Sequence, residues 1–221
     1  MGYRESILSP RGYEATYEEI KKHRGSDTTW RKCTAIKDGV KYFAFKICEH
    51  DTPDRYRRIQ SIQVSIPRMA RMEGPIENVV LLEEARGSLL WEMEPAPDAT
   101  VVESQLIEFA LGTKQNQLIH GDLRPWNVFF DNDCGVQVID WWCLSSFVDD
   151  LVGDRPRRQD LIQEGKHYAM FHRELVAVGD FTDIDLTDAQ RIGKLLRGEI
   201  RFSQAWPASS PWPWYPGWCR R

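Results

Sequence analysis

The sequence predicts an α+β protein in two lobes, a strand-rich N-terminal lobe over 1–94 and a helical C-terminal lobe over 95–221. Three observations point there. Lys37-Asp38-Gly39 separates two apolar, β-rich runs; helical spacing of apolar residues sets in after the break Pro95-Ala96-Pro97-Asp98; and the stretch 118–140 puts a polar loop ahead of an apolar strand.

In chain order, strands are predicted over 13–21, 30–36 and 40–47. An Asp-Gly pair between such runs is a hairpin signal, because both residues tolerate the positive φ of a tight turn. Thr52-Pro53 starts a helix, with a hydroxyl for capping and proline at the first helical position. That helix runs to about residue 66, where Pro67 restricts its predecessor. Two further strands, 78–83 and 88–93, are joined by an Arg86-Gly87 turn and complete a five-stranded antiparallel sheet carrying one helix.

Beyond Pro95, Leu106, Ile107, Ala110 and Leu111 give 101–117 a helical period. Helices are also predicted over 158–178 and 188–197, the second opening on a capping-box pattern from Thr187 to Gln190. In the tail, Trp206, Trp212, Trp214 and Trp218 alternate with Pro207, Pro211, Pro213 and Pro216. Proline rules out a regular helix and large aromatic rings avoid water, so the tail reads as an extended strap packed on the body, with an exposed recognition segment as the alternative.

Composition narrows the function classes. The 221 residues, 42% hydrophobic and 28% charged, are those of a packed fold. A net charge of -4 lacks the basic footprint of a nucleic-acid partner, and the arginine clusters at 55–58 and 155–158 read as solvated faces. Five cysteines without a CxxC pair suggest neither a disulfide framework nor a zinc cluster. With no apolar run of the ~18 residues needed to span a bilayer, no membrane partner is expected. The expected location is a cytosol, its own or a host's if the protein is secreted; the oligomeric state has no signature in the sequence.

The chemistry concentrates in LIHGDLRPWNV, residues 118–128. Phosphoryl transfer requires a carboxylate near the attacking hydroxyl, magnesium on the triphosphate, and positive charge near the moving group. Asp122 can accept the hydroxyl proton, and Asn127, five residues on, can offer a carbonyl oxygen to a metal. Asp140 ends the apolar strand Val136-Gln137-Val138-Ile139, where a carboxylate makes a good Mg2+ ligand. Taken singly, His-Gly-Asp reads as a turn and an aspartate after a strand as a helix cap; the ordered combination is what carries the signal.

This pattern resembles the protein kinase and aminoglycoside/choline phosphotransferase superfamily, with its HxDxxxxN loop and later metal-binding aspartate. His-Gly-Asp, and Ile139-Asp140-Trp141 in place of Asp-Phe-Gly, are most similar to its small-molecule and atypical branches. The resemblance implies a two-lobed kinase-like fold, ATP and Mg2+ as cofactors, and Arg124 near the γ-phosphate. It places Lys46, in Phe43-Ala44-Phe45-Lys46-Ile47, on the α- and β-phosphates. Gly25 and Ser26 fall where the phosphate-covering loop belongs, although an ordinary polar turn reads the same way. Glu92, Met93 and Glu94 stand where main-chain groups bind adenine.

The chain also departs from the superfamily. The helix after Lys46 contains no glutamate to pair with that lysine, leaving Gln60, Gln63, Glu49 or Glu73 as substitutes. Gly121 replaces the arginine of regulated protein kinases, and no Ala-Pro-Glu motif follows. The expected activity is transfer of the ATP γ-phosphoryl group to a hydroxyl acceptor. A protein Ser/Thr acceptor is favoured because the C-terminal lobe is short; a metabolite or antibiotic acceptor is the alternative. The missing glutamate and sparse glycines support a second reading, a catalytically silent nucleotide-binding pseudokinase.

Overall fold

The computed structural model describes residues 3–21, 29–47, 53–139, 146–147 and 183–206. They form two compact units, 1–64 with 70–85 and 65–69 with 86–221.

The first unit contains α1 (Tyr3–Leu8), β1 (Glu14–Lys21), β2 (Thr29–Lys37), β3 (Val40–Lys46), α2 (Pro53–Ile62), β4 (Met72–Ile76) and β5 (Val79–Glu83). The five strands form one antiparallel sheet in the order β1-β2-β3-β5-β4. Lys37 pairs with Val40 across a two-residue turn in which Asp38 and Gly39 take φ of 52° and 77°, as the Asp-Gly pair predicts. Alternate residues Cys33 and Ala35, Tyr42 and Ala44, and Val79 and Leu81 bury one face together with Ile7, Leu8 and Tyr13. Val80 and Leu82 are buried as well, so both faces of β5 are covered.

One strand assignment changes. The fifth strand is β4, whereas 88–93 supplies only a two-residue strand that pairs elsewhere. Gly74 and Pro75 disguise β4 in the sequence, since both are depleted in strands. At a sheet edge a proline is tolerated, because the N–H it lacks has no ladder partner to lose. The short helix α1 was likewise not anticipated; six residues ahead of Pro10 display too few turns for a period to show.

The second unit holds β6 (Ser88–Leu89), α3 (Ala99–Gln115), β7 (Leu118–Ile119), β8 (Val128–Asp131), β9 (Gly135–Val138), β10 (Ser146–Phe147), α4 (Ile184–Leu196) and α5 (Phe202–Ala205). β6 pairs with β8 and β8 with β9, while β7 pairs with β10. Asp98, read as part of a break, is the cap of α3: its carboxylate accepts from the N–H of Thr100 at 2.8 Å and of Val101 at 3.3 Å.

Helices α3 and α4 pack closely. α4 begins at Ile184, four residues before the predicted start, so Thr187 lies inside the helix and caps nothing. The earlier start puts Asp185 and Asp188 on the buried face with Ala189, Ile192 and Leu195. The predicted helix at 158–178 lies outside the described residues, as do Trp212, Trp214 and Trp218. Trp206 is fully buried, as a packed strap requires. Among the described residues no helix is long and apolar enough to cross a membrane.

Candidate active site

The polar loop that follows β7 is anchored from beneath by α4. The backbone N–H groups of His120 and Gly121 donate to the two carboxylate oxygens of Asp185 at 2.8 and 3.0 Å. The Thr113 hydroxyl on α3 donates to the same carboxylate at 3.0 Å. Gly121 takes a φ of 80°, a conformation glycine adopts without Cβ strain, and this turns both N–H groups toward one acceptor. Burial pushes the Asp185 carboxyl above its ordinary pKa, and the hydrogen bonds from Gly121, His120 and Thr113 oppose that shift.

His120 is fully buried and joins the loop to the strand behind it. Its Nδ1 accepts the N–H of Asp122 at 3.2 Å. The ring proton therefore sits on Nε2, which donates to the carbonyl of Ile139 at 2.8 Å. A neutral imidazole with both nitrogens engaged is a structural tie between the loop and the residue just before Asp140.

Asp122 and Asn127 form the chemical centre. Asn127 Nδ2 donates to the Asp122 carbonyl and to Asp122 Oδ2, both at 2.9 Å. The Asn127 backbone is fixed at both ends, its N–H donating to the Arg124 carbonyl and its carbonyl accepting from Ile139 N–H, each at 2.9 Å. With the amide nitrogen committed to Asp122, the carbonyl oxygen is the Asn127 atom left for a cation. That oxygen is a hard donor of the kind Mg2+ takes, so Asn127 fits the metal that phosphoryl transfer uses. The Asp122 side chain is 23% exposed and hence within reach of an acceptor.

Arg124 is placed differently from the phosphate-facing position that the resemblance implies. Its side chain is only 4% exposed, and Nη1 donates to Asp188 Oδ2 on α4 at 2.5 Å. The guanidinium lies 4.7 Å from the ring centroid of Trp206. Nε stands 3.7 Å from Asp122 Oδ1. Withdrawing this charge toward a phosphate would leave Asp188, 1% exposed, with a buried charge stripped of its strongest partner, which is costly.

Of the other predicted site residues, Lys46 is the last residue of β3 and pairs with Val79; its side chain is outside the described residues. Gly25, Ser26 and Asp140 are also outside them. Glu92 closes a 3-10 turn over Leu90–Glu92, with Met93 extended after it and Glu92 and Glu94 exposed. Two of the four proposed substitutes for the helix glutamate have other work, and Glu49 is outside the described residues. Gln63 exchanges two hydrogen bonds with the Met72 backbone, at 2.7 and 2.9 Å. Glu73 accepts the hydroxyls of Tyr13 and Tyr42 at 2.9 and 3.0 Å.

A model of the RIO domain matches residues 11–144, more than half of the chain. The chain belongs to the RIO domain family. RIO domains are atypical protein kinase-like domains, so the kinase-like recognition and fold hold at the level of the family. Among curated proteins, none matches the chain.

In this RIO domain the residues that sequence reasoning missed are Thr113, Asp185, Asp188 and Trp206. All but Thr113 lie beyond the matched stretch. A signal was present: Asp185 and Asp188 stand at i and i+3, on one helix face with Ala189, Ile192 and Leu195. Carboxylates on an apolar stripe require buried donors, and the catalytic loop provides them.

Proposed function

We propose that this RIO domain chain is an ATP- and Mg2+-dependent phosphotransferase that delivers the γ-phosphoryl group to a serine or threonine hydroxyl of a protein. The observation that carries the reading is the pair of 2.9 Å hydrogen bonds from Asn127 Nδ2 to Asp122, which couple a proton acceptor to an oxygen donor for a metal. Membership in an atypical protein kinase-like family supports a protein acceptor.

In this reading Asp122 orients the acceptor hydroxyl and takes its proton as the oxygen attacks the γ-phosphorus. The bond from that phosphorus to the bridging oxygen breaks, and ADP leaves. Asn127 Oδ1 and Asp140 would hold the metal, which would supply charge neutralisation on the phosphate oxygens. By the resemblance, Lys46 would serve the α- and β-phosphates, and main-chain groups of the 92–94 stretch the adenine. The Asp185 anchor holds the loop so that Asp122 needs no reorganisation during transfer.

A second reading, a catalytically silent nucleotide-binding domain, draws on the commitment of Gln63 to Met72 and of Glu73 to two tyrosines. Incubation with γ-labelled ATP and Mg2+ separates the possibilities when protein acceptors and hydroxylated small molecules are supplied in parallel. The proposed function predicts label on protein, lost in Asp122→Ala and Asp140→Ala. Label on small molecules alone moves the acceptor class, and ATP binding without transfer selects the silent domain.

A further inference from the structure

Beyond the stretch matched by the family, the segment Phe202–Trp206 grips the catalytic loop at two places. Trp206 Nε1 donates to Asp188 Oδ1 at 3.0 Å, and the Trp206 ring underlies the Arg124 guanidinium. One turn earlier, the Phe202 ring lies 5.6 Å from Trp126 and 4.9 Å from Trp206. Trp126 in turn meets Trp91 edge to face at 5.8 Å. Arg124 and Trp126 flank Pro125, so the segment holds the loop on both sides of its 3-10 turn. The segment is itself braced, with Trp206 N–H donating to the Phe202 carbonyl at 2.9 Å.

Asp188 connects these contacts. Its Oδ2 accepts from Arg124 and its Oδ1 from both Trp206 and Arg191, the last at 2.9 Å. A buried carboxylate with both oxygens engaged fixes its partners in direction as well as distance. Arg124, held at its far end, keeps Nε beside Asp122 Oδ1, while Asn127 holds Oδ2. The Asp122 carboxylate is thus bracketed by one contact within the loop and one relayed from α4 and the C-terminal segment.

We infer that Trp206 and Asp188 are positioning residues for Asp122, acting through Arg124, and that the 202–206 segment is a clasp required for phosphoryl transfer. The inference rests on the proposed function for its catalytic consequence; the physical linkage stands on the geometry alone. Arg124 in this role contributes to kcat and leaves the affinity for ATP unchanged, whereas a phosphate ligand in the same place would set that affinity.

The test uses the full chain and the variants Trp206→Phe, Arg124→Met and Arg124→Lys. Three quantities are read: kcat with KM for ATP, binding of ATP against ADP by calorimetry, and hydrogen exchange of the Trp206 indole N–H by NMR. Circular dichroism at the assay temperature confirms folding. The clasp predicts a roughly ten- to hundred-fold loss of kcat in Arg124→Met, partly restored by lysine, with ATP affinity unchanged. Trp206→Phe, which keeps a ring and loses the N–H donor, lowers kcat in the same direction and carries the test if Arg124→Met fails to fold. Full kcat in the folded variants, or loss of ATP affinity with kcat retained, overturns the inference.

If the unmodified chain transfers no phosphoryl group, the proposed function fails and the clasp loses its catalytic part, but its linkage is still judged. Slow exchange of the Trp206 N–H, with a resonance that moves in Arg124→Met, upholds the linkage. Rapid exchange, or a resonance indifferent to Arg124, rejects it.

Discussion

Asn127 gives both hydrogens of its side-chain amide to Asp122, one to the backbone carbonyl and one to Oδ2, each at 2.9 Å. The two residues therefore move as one unit. Displacing the amide displaces the carboxylate, and any cation held by Asn127 Oδ1 would stay close to the carboxylate proposed to take the proton.

Asn127→Leu keeps the shape of the side chain and removes both bonds. Loss of the paired donors from a buried position costs about 1–3 kcal/mol, read from the urea midpoint at constant m. Transfer is expected to fall further than stability, by roughly a hundred-fold, because the proposed metal ligand is removed and the Asp122 carboxylate loses the donor that orients it. A variant with normal turnover and lowered stability would give Asn127 a purely structural role.

Asp185→Ala leaves the N–H groups of His120 and Gly121 without their acceptor, while the Thr113 hydroxyl keeps the Ala110 carbonyl at 2.9 Å. Unsatisfied buried donors cost about 1–3 kcal/mol each when water cannot reach them, so this substitution is strongly destabilising. Thr113→Val removes one donor and leaves the carboxylate its two backbone partners, for a loss of about 1 kcal/mol. Chemical denaturation ranks the two, and the opposite order would mean that Asp185 does not anchor the loop.

Tyr13 and Tyr42 share Glu73, and burial, followed by their hydrogen bonds to that carboxylate, pushes each phenol up to about 12. The unfolded chain releases these protons near the ordinary value of 10.0, whereas the folded chain retains them to about 12. Their contribution to stability is complete below the unfolded value and is lost as pH rises through the folded one. An ultraviolet titration of phenolate shows Tyr13 and Tyr42 titrating late, and Glu73→Gln brings both earlier. Seven tyrosines titrating together would contradict the shared site.

Gly87 sits at a φ of 81°, and an added Cβ would come 2.1 Å from the carbonyl oxygen of Phe130. The neighbour is backbone on β8 and cannot swing away. Gly87→Ala is expected to destabilise the second unit by at least about 2 kcal/mol, combining left-handed strain with overpacking. An unchanged unfolding midpoint would exclude this close approach of the 86–87 turn to β8.

The sequence made the local signals legible: the Asp38-Gly39 turn, the helix opening at Pro53, the period of α3, and the His120, Asp122 and Asn127 spacing. Each depends on residues near one another in the chain. The missing parts depend on distant partners. β4 is a strand because β5 pairs with it, despite Gly74 and Pro75. Asp188 read as part of a capping box because nothing local shows that Arg124, 64 residues away, would claim it. Arg124 read as a phosphate ligand for the same reason, since loop spacing alone does not reveal which way a long side chain turns.

The central claim is that Asp122 takes a hydroxyl proton in ATP-dependent transfer, and the most direct measurement compares the unmodified chain with Asp122→Asn, using γ-labelled ATP, Mg2+ and protein acceptors. The account predicts Mg2+-dependent labelling by the unmodified chain and a fall of about 10²- to 10⁴-fold in the variant, with ATP binding retained. Equal labelling by both proteins, or ATP binding by the unmodified chain with no transfer to any acceptor, would contradict it.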